Sequence, residues 1–444
     1  MRKERLGALG AWALLGLLLA IIAVTLPELG SNPWPFRPGH VDPQGPLAPL
    51  VRAAGEEWDV GIARTGCLIA ALFCGAAAMT LFSRRSWPGW AGVGVVLVVG
   101  LILLVPSTFL QLGLRDSTAP WFFTNDSTYQ VEVGGKLLLD GDNPYGHDYS
   151  HSGLERFYTY NGSVSPGVID REVALRHFAY FPGTILTAAV WRALPQPFDD
   201  YRLFILVCTL LLLAAALAFR APLSWRLWIG ALLVCNPIAV RSAWFGQTDA
   251  PSLLLLVLSF ALVTRSRYGW AAASLAGAVL LKQFALVALP FMALMVVKRG
   301  AGRAELQRAA LVFVAVLAVV ILPFFLWDPA AFWRDTVKYG AGTYKIVGYG
   351  LSDILLRLHV IGSRTGAYPF VPIAIVLWLP LTIWLLFAQR KAEEVWVGAA
   401  AFSISILALM FIGRTFNNYY LVWPMTGAAV AALIAAGERK PVAS

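Results

Sequence analysis

Asp126 stands in "TNDSTYQ", directly behind a long apolar segment. A carboxylate at the edge of a membrane is placed to act as a general base. It takes the proton of a hydroxyl as that oxygen forms its new bond. Asp116, ten residues earlier, is the nearest competitor and reads more simply as a charge ending a helix at the membrane surface. "DGD" at 140–142 has the Asp-x-Asp spacing that can hold a divalent cation against a phosphate. The "NPYG" behind it makes a turn the simpler reading, because Asp, Asn, Pro and Gly each favour turns. No essential metal is expected, with a divalent cation at this turn as the alternative. His147, His151 and His177 are too widely spread to read as a metal set.

A second group of polar residues interrupts apolar runs. Lys282 and Gln283 break "AGAVLLKQFALVALP", and Gln247 and Asp249 break "FGQTDAP". Charges inside a membrane are costly and are functional candidates by default. Lys282 reads as a cationic partner for an anionic group. The alternatives are a lysine that snorkels or one that pairs with Asp249, for which Arg241 is a second candidate partner. Residues 333–350 mix Arg334, Lys338, Lys345 and Tyr349 with glycines. They read either as a cover over a site or as an ordinary interfacial loop. Arg414, Asn417, Asn418 and Tyr419 carry the same two readings.

The elements that must position these residues follow from composition. The 444 residues are 58% hydrophobic and 14% charged. A soluble chain of this length cannot hide that much apolar surface. Apolar segments at 6–27, 61–82, 90–112, 178–195, 202–219, 226–244, 249–264, 270–297, 309–327, 367–388, 395–413 and 418–437 are each near the length that crosses about 30 Å of hydrocarbon, with 178–195 and 249–264 short enough to read as tilted or only partly spanning. An all-α polytopic membrane protein of about twelve spans is expected. It divides into an N-terminal pair of helices with a Pro/Gly-rich loop (1–89), a central module (90–330), and a loop with C-terminal helices (331–444). The net charge of +10 reflects basic loops that set orientation, so nucleic acid is not expected as a partner. Cys67, Cys74, Cys208 and Cys235 all lie in apolar segments and read as packed hydrophobes. The basic start before the first apolar run reads as an uncleaved helix with a cytoplasmic N-terminus. Arginine far exceeds lysine and alanine is abundant, as in GC-rich bacterial genomes.

Twelve crossings place Arg84, Arg85, Lys298, Arg299, Arg303, Arg308, Arg390, Lys391, Arg439 and Lys440 inside. Segments 28–60, 113–177 and 328–366 then lie outside. The same count puts Arg220, Arg226, Arg265 and Arg267 outside, against the positive-inside tendency. A break of 270–297 at "LKQF" into two half-helices is the alternative, tolerated where such a helix lines a cavity. "STYQVEVGGKLLL" is expected to form a short amphipathic helix on the membrane surface, closed by the "DGDNPYG" turn.

The order of these pieces resembles a known group. An Asp in the first large external loop, a Tyr after it, then "NPYG", "YFPG", "GQTDA" and "AGAVLLKQFALVALP" resemble the GT-C superfamily of integral-membrane glycosyltransferases. Residues 236–294 resemble glycosyltransferase family 87, the bacterial polyprenol-phosphate-mannose-dependent α-mannosyltransferases and their relatives. The likeness covers roughly 90–330. "YFPG" stands where Tyr-Pro-Pro is usual, and "KQF" where Lys-Pro is usual. The resemblance implies a GT-C fold in a bacterial plasma membrane, with the site facing the extracytoplasmic side. It implies transfer of a sugar, best read as mannose, from a polyprenyl-phosphate-sugar donor to a lipid or glycan acceptor in the cell envelope. Asp126 would be the single base of an inverting reaction, since the phosphate leaves without a strong acid. Lys282, Gln283, Arg334 and Lys345 would meet the donor phosphate. Tyr129, Asp142, Asn143, Tyr145, His147, Tyr180, Gln247, Asp249 and Tyr349 would meet sugar or acceptor. No cofactor is implied.

Two other readings compete. A transporter or flippase would use Lys282 and Asp249 as a substrate pathway. It predicts inverted repeats, and none is visible. It also leaves the acidic loop without a role. An oligosaccharide polymerase or ligase would carry its large loop late in the chain, with basic residues in place of an early Asp.

Overall fold

The computed structural model describes residues 125–154, 175–244, 246–339, 346–364 and 366–438, with isolated positions before 113. Asp116, Lys345, Cys67, Cys74 and nearly all of segments 6–27, 61–82 and 90–112 lie outside the described residues. So do the side chains of Arg241 and Trp244. The described chain is mostly helical, with two short strands.

The first helix, α1 (Asp126–Asp140), begins where the Asn125 side chain accepts from the Ser127 N–H. It ends where Gly141, in the left-handed conformation, donates to the Leu137 and Leu138 carbonyls. The expected short helix and its turn are therefore both present. α2 (Pro182–Arg192) starts on a proline, whose missing N–H costs nothing at that position. Asp200 caps α3 (Tyr201–Leu217). α4 (Leu223–Cys235) and α5 (Pro237–Trp244) are separated at Asn236, because a proline cannot donate into the preceding turn. Then follow α6 (Ala250–Thr264), α7 (Tyr268–Leu281), a 3₁₀ stretch (Gln283–Ala288), α8 (Leu289–Lys298), α9 (Arg303–Trp327) and α10 (Pro329–Trp333). Two short strands, β1 (Val347–Gly348) and β2 (Thr415–Phe416), pair in parallel. Between and beyond them lie α11 (Leu351–Arg357), α12 (Phe370–Lys391), α13 (Val397–Phe411) and α14 (Val422–Glu438).

Among the described residues three segments are long and apolar enough to cross a membrane: α9, α12, and α14 with its leading turn from Asn418. Six shorter apolar helices lie among them. The protein is a helical membrane protein.

Hydrogen bonds between helix ends divide the described chain into two ends. At one, the Arg265 Nε donates to the Ala218 carbonyl (2.5 Å), and Arg299 Nη2 to the Thr264 carbonyl (2.7 Å). Lys298 reaches the Ala392 carbonyl, and the Val395 N–H meets Glu438. This end gathers Arg220, Arg226, Arg265, Arg267, Lys298, Arg299, Arg303, Arg390 and Lys391. At the other, Thr184 Oγ1 donates to the Leu281 carbonyl (2.8 Å) and the Tyr201 N–H to Glu132 (2.8 Å). Thr128 Oγ1 donates to the Gly246 carbonyl there.

The structure decides between readings that the sequence left open for two segments. Segment 178–195 is not a span. Its helix, α2, has 11 residues, about 16 Å at the usual rise, and polar "PQPFDD" stops it. It lies against α1, so closely that a Cβ on Gly135 would stand 2.8 Å from the Ala188 backbone. Segment 270–297 is two elements, parted at Lys282, whose backbone is extended (φ −156°, ψ 121°). Its two parts run in opposite directions between the two ends. The arginines at 220, 226, 265 and 267 thereby join Lys298 at one end, which removes their conflict with the positive-inside tendency.

The main core runs between α3, α4, α6, α7, α8, α13 and α14, where Phe260, Phe291, Phe402 and Trp423 are fully buried. A smaller core lies under α1 and α2, around Val131, Tyr145, Tyr149, Phe178, Ile185 and Phe332.

Candidate functional site

The end opposite the basic loops carries the polar cluster. Asp126 sits in the first turn of α1 and is half-buried. Its Oδ1 accepts from the Ser127 N–H (2.8 Å). The Ser127 hydroxyl donates to the Asn125 side chain, and the Tyr180 and Tyr420 phenols lie close to the Asp126 and Asp249 carboxylates. A carboxylate on the first turn is itself favoured by the helix dipole. Asp126 is thus anchored by backbone while it faces a patch of phenols.

Lys282 sits at the break between α7 and the 3₁₀ stretch, 8% exposed. Its Nζ lies 3.0 Å from Asp249 Oδ1, donates to Thr248 Oγ1 (3.2 Å), and stands 5.9 Å from the centre of the Tyr180 ring. The two bonds occupy two of its three N–H donors. Asp249, 1% exposed, also accepts from the Trp423 indole N–H (2.8 Å) on that same Oδ1. Its second oxygen, Oδ2, is buried with no hydrogen-bond partner among the described residues. The pairing of Lys282 with Asp249 weighed from the sequence is therefore the geometry found. Gln283 holds the break against the loop ahead of α2, donating to the Ala179 carbonyl (2.7 Å).

The "GQTDA" loop takes its shape from Gly246, whose positive φ (+67°) suits glycine. A Cβ there would stand 2.7 Å from the Arg202 side chain. Arg202 is fully buried and paired with Asp200 (2.8 Å). Gln247 is buried beside this loop.

Other expected residues lie elsewhere. Asp142 and Asn143 close the C-terminal end of α1, about 22 Å along the helix from Asp126. Asp142 is exposed, and Asn143 accepts from the Tyr145 N–H in the turn. The "DGD" pattern is thus the helix stop. His147 packs edge-on to Tyr149. Tyr145 reaches back to the site through its hydroxyl, which donates to the Tyr180 carbonyl (2.7 Å). Burial pushes the Tyr145 phenol well above its ordinary range, so it stays a donor at any physiological pH. Tyr129 donates to the Ser152 carbonyl. Arg334 is half exposed and lies 3.3 Å from Asp335, which is fully buried. Asp335 accepts from the Gly146 and Phe178 N–H groups and meets His177 Nδ1 at 3.0 Å. Tyr349 packs edge-on to Phe416, beside the strand pair.

The described structure therefore brings together Asp126, Tyr180, Lys282, Gln283, Gln247 and Asp249. It separates them from Asp142, Asn143 and His147. Reading the sequence missed Ser127, Thr248, Tyr420 and Trp423, ordinary residue types at the ends of apolar segments. It also missed Asp335, which ties the loop after α1 to the segment after α10. No family model, curated protein or solved structure matches the chain.

Proposed function

We propose that this protein transfers a sugar, best read as mannose, from a polyprenyl-phosphate-sugar donor to a hydroxyl of a lipid or glycan acceptor. The site end faces the extracytoplasmic side of a bacterial plasma membrane, and the basic end faces the cytoplasm. The observation that carries this reading is Asp126: a half-buried carboxylate on the first turn of a surface helix, beside phenols and a buried Lys282–Asp249 pair. The clustering of basic loops at the other end supports the orientation.

In the reaction, the acceptor oxygen bonds to the anomeric carbon as the bond from that carbon to the phosphate oxygen breaks. The phosphate departs with the bonding electrons and needs no acid. The acceptor proton passes to Asp126, and the anomeric centre inverts. Lys282 offers the N–H not taken by Asp249 and Thr248 to the departing phosphate, with Gln283 beside it. Tyr180 and Gln247 line the sugar side. Arg334 belongs to the cover over the site in this account.

A transporter or flippase is the second reading, favoured by the buried ion pair at a broken helix. The test is reconstitution with radiolabelled polyprenyl-phosphate-mannose and a membrane lipid extract. Label appearing in a new lipid or glycan product supports transfer. Label that changes leaflet without changing its chemical form, with that donor and with other lipid-linked sugars, supports transport instead.

A further inference from the structure

Beside Asp249 the helices line a cavity of about 440 Å³. Its walls are α3, α4, α5, α6 and α14, and its lining is overwhelmingly aliphatic, from Leu212, Leu232 and Leu253 to Ala429. Two lining groups break that character. Asp249 Oδ2 and Ser242 Oγ are both buried, and neither has a hydrogen-bond partner among the described residues. Two further polar liners are satisfied locally: Thr209 donates to the Ile205 carbonyl, and Asn236 donates to the Leu232 carbonyl and accepts from the Ala239 N–H.

An apolar cavity of this size is the size of a ligand site, and such sites use a few placed polar groups to orient an apolar body. A buried polar atom without a partner is costly, and more so where water is scarce. The cavity also reaches the protein's flank, because Met425 and Ala428 line it and are exposed. On a membrane protein that flank meets lipid chains. The polar atoms lie toward the site end, while the aliphatic walls run along the helices away from it.

We propose that this cavity binds one hydrocarbon chain of a lipid alcohol, entered sideways past Met425 and Ala428, with its hydroxyl at Asp249 and Ser242. The hydroxyl supplies the donor that Asp249 Oδ2 lacks, and it accepts where Ser242 Oγ needs an acceptor. An alkane would fill the walls and leave both atoms unpartnered. An anionic headgroup would meet the Asp249 carboxylate and be repelled. The binding does not depend on sugar transfer.

The test uses the full-length protein in lipid nanodiscs and a photoreactive diazirine derivative of hexadecanol. Saturable labelling is expected on peptides carrying Leu253 and Met425, competed by unlabelled hexadecanol on the wild-type protein. Hexadecane and palmitate should compete about tenfold less well, the effect of one hydrogen bond to a charged group. Ala429→Trp, which fills the cavity, should abolish the labelling while the variant keeps its melting temperature. Should that variant not fold, the competition series on the wild type decides alone. Labelling that does not saturate, or equal competition by hexadecane, would overturn the proposal and leave only partition into surrounding lipid. Equal competition by palmitate would overturn the alcohol as the ligand class.

Discussion

The Lys282–Asp249 pair shows how much one residue's environment decides. Both side chains are buried, and Asp249 Oδ1 accepts from the lysine and from Trp423. Removing one partner of a buried ion pair strands the other and costs about 3–5 kcal/mol, whereas replacing both by apolar groups is far cheaper. Asp249→Asn and Lys282→Met are each expected to lower the melting temperature markedly. The double variant Asp249→Asn, Lys282→Met should regain most of the loss. Single variants as stable as wild type would show that the pair is not formed. The sequence displayed both charges, because each interrupts an apolar run. It could not display Trp423 or Thr248. A tryptophan near a helix end is ordinary in a membrane protein, and Trp423 lies 174 residues from its partner.

At the scale of elements, α1 was readable and α2 only in part, as a segment short for a span. The Asn125–Ser127 start ahead of "STYQVEVGGKLLL" and the Gly-bearing turn behind it mark a short helix. "YFPGTILTAAVWRALPQPFDD" has the composition of a span but lacks the length, and apolar content misled where helix-stopping prolines should have decided. The contact between these helices rests on Gly135. A larger side chain there meets the Ala188 backbone at 2.8 Å and must push α1 away. Gly135→Leu should cost about 1–3 kcal/mol as an overpacked contact, and it should reduce activity by displacing Asp126. Lys136→Leu, one position along and exposed, is the control. Thermal unfolding and transfer activity of the pair check this; equal behaviour would mean that α1 does not depend on close approach.

For the whole molecule, the two ends make a sharp statement about topology. Arg220, Arg267 and Arg303 are exposed at the basic end. With native cysteines replaced, Arg220→Cys, Arg267→Cys and Arg303→Cys should all react with an impermeant thiol reagent from one face. Asp142→Cys and Tyr349→Cys, both exposed at the site end, should react from the other. An unbroken helix through 270–297 requires positions 267 and 303 to label from opposite faces. The sequence left this open because a single Lys-Gln pair is a weak signal for a break. Only the extended backbone at Lys282 decides it.

The central claim is that Asp126 takes the acceptor proton, and one comparison tests it most directly. Wild type and Asp126→Asn are reconstituted side by side, at matched protein levels and melting temperatures, and radiolabelled sugar transfer is followed. The account predicts a loss of about 10²–10⁴-fold in kcat, as expected when a general base is removed, with donor binding retained. Equal transfer by both proteins would contradict it and remove Asp126 from the chemistry.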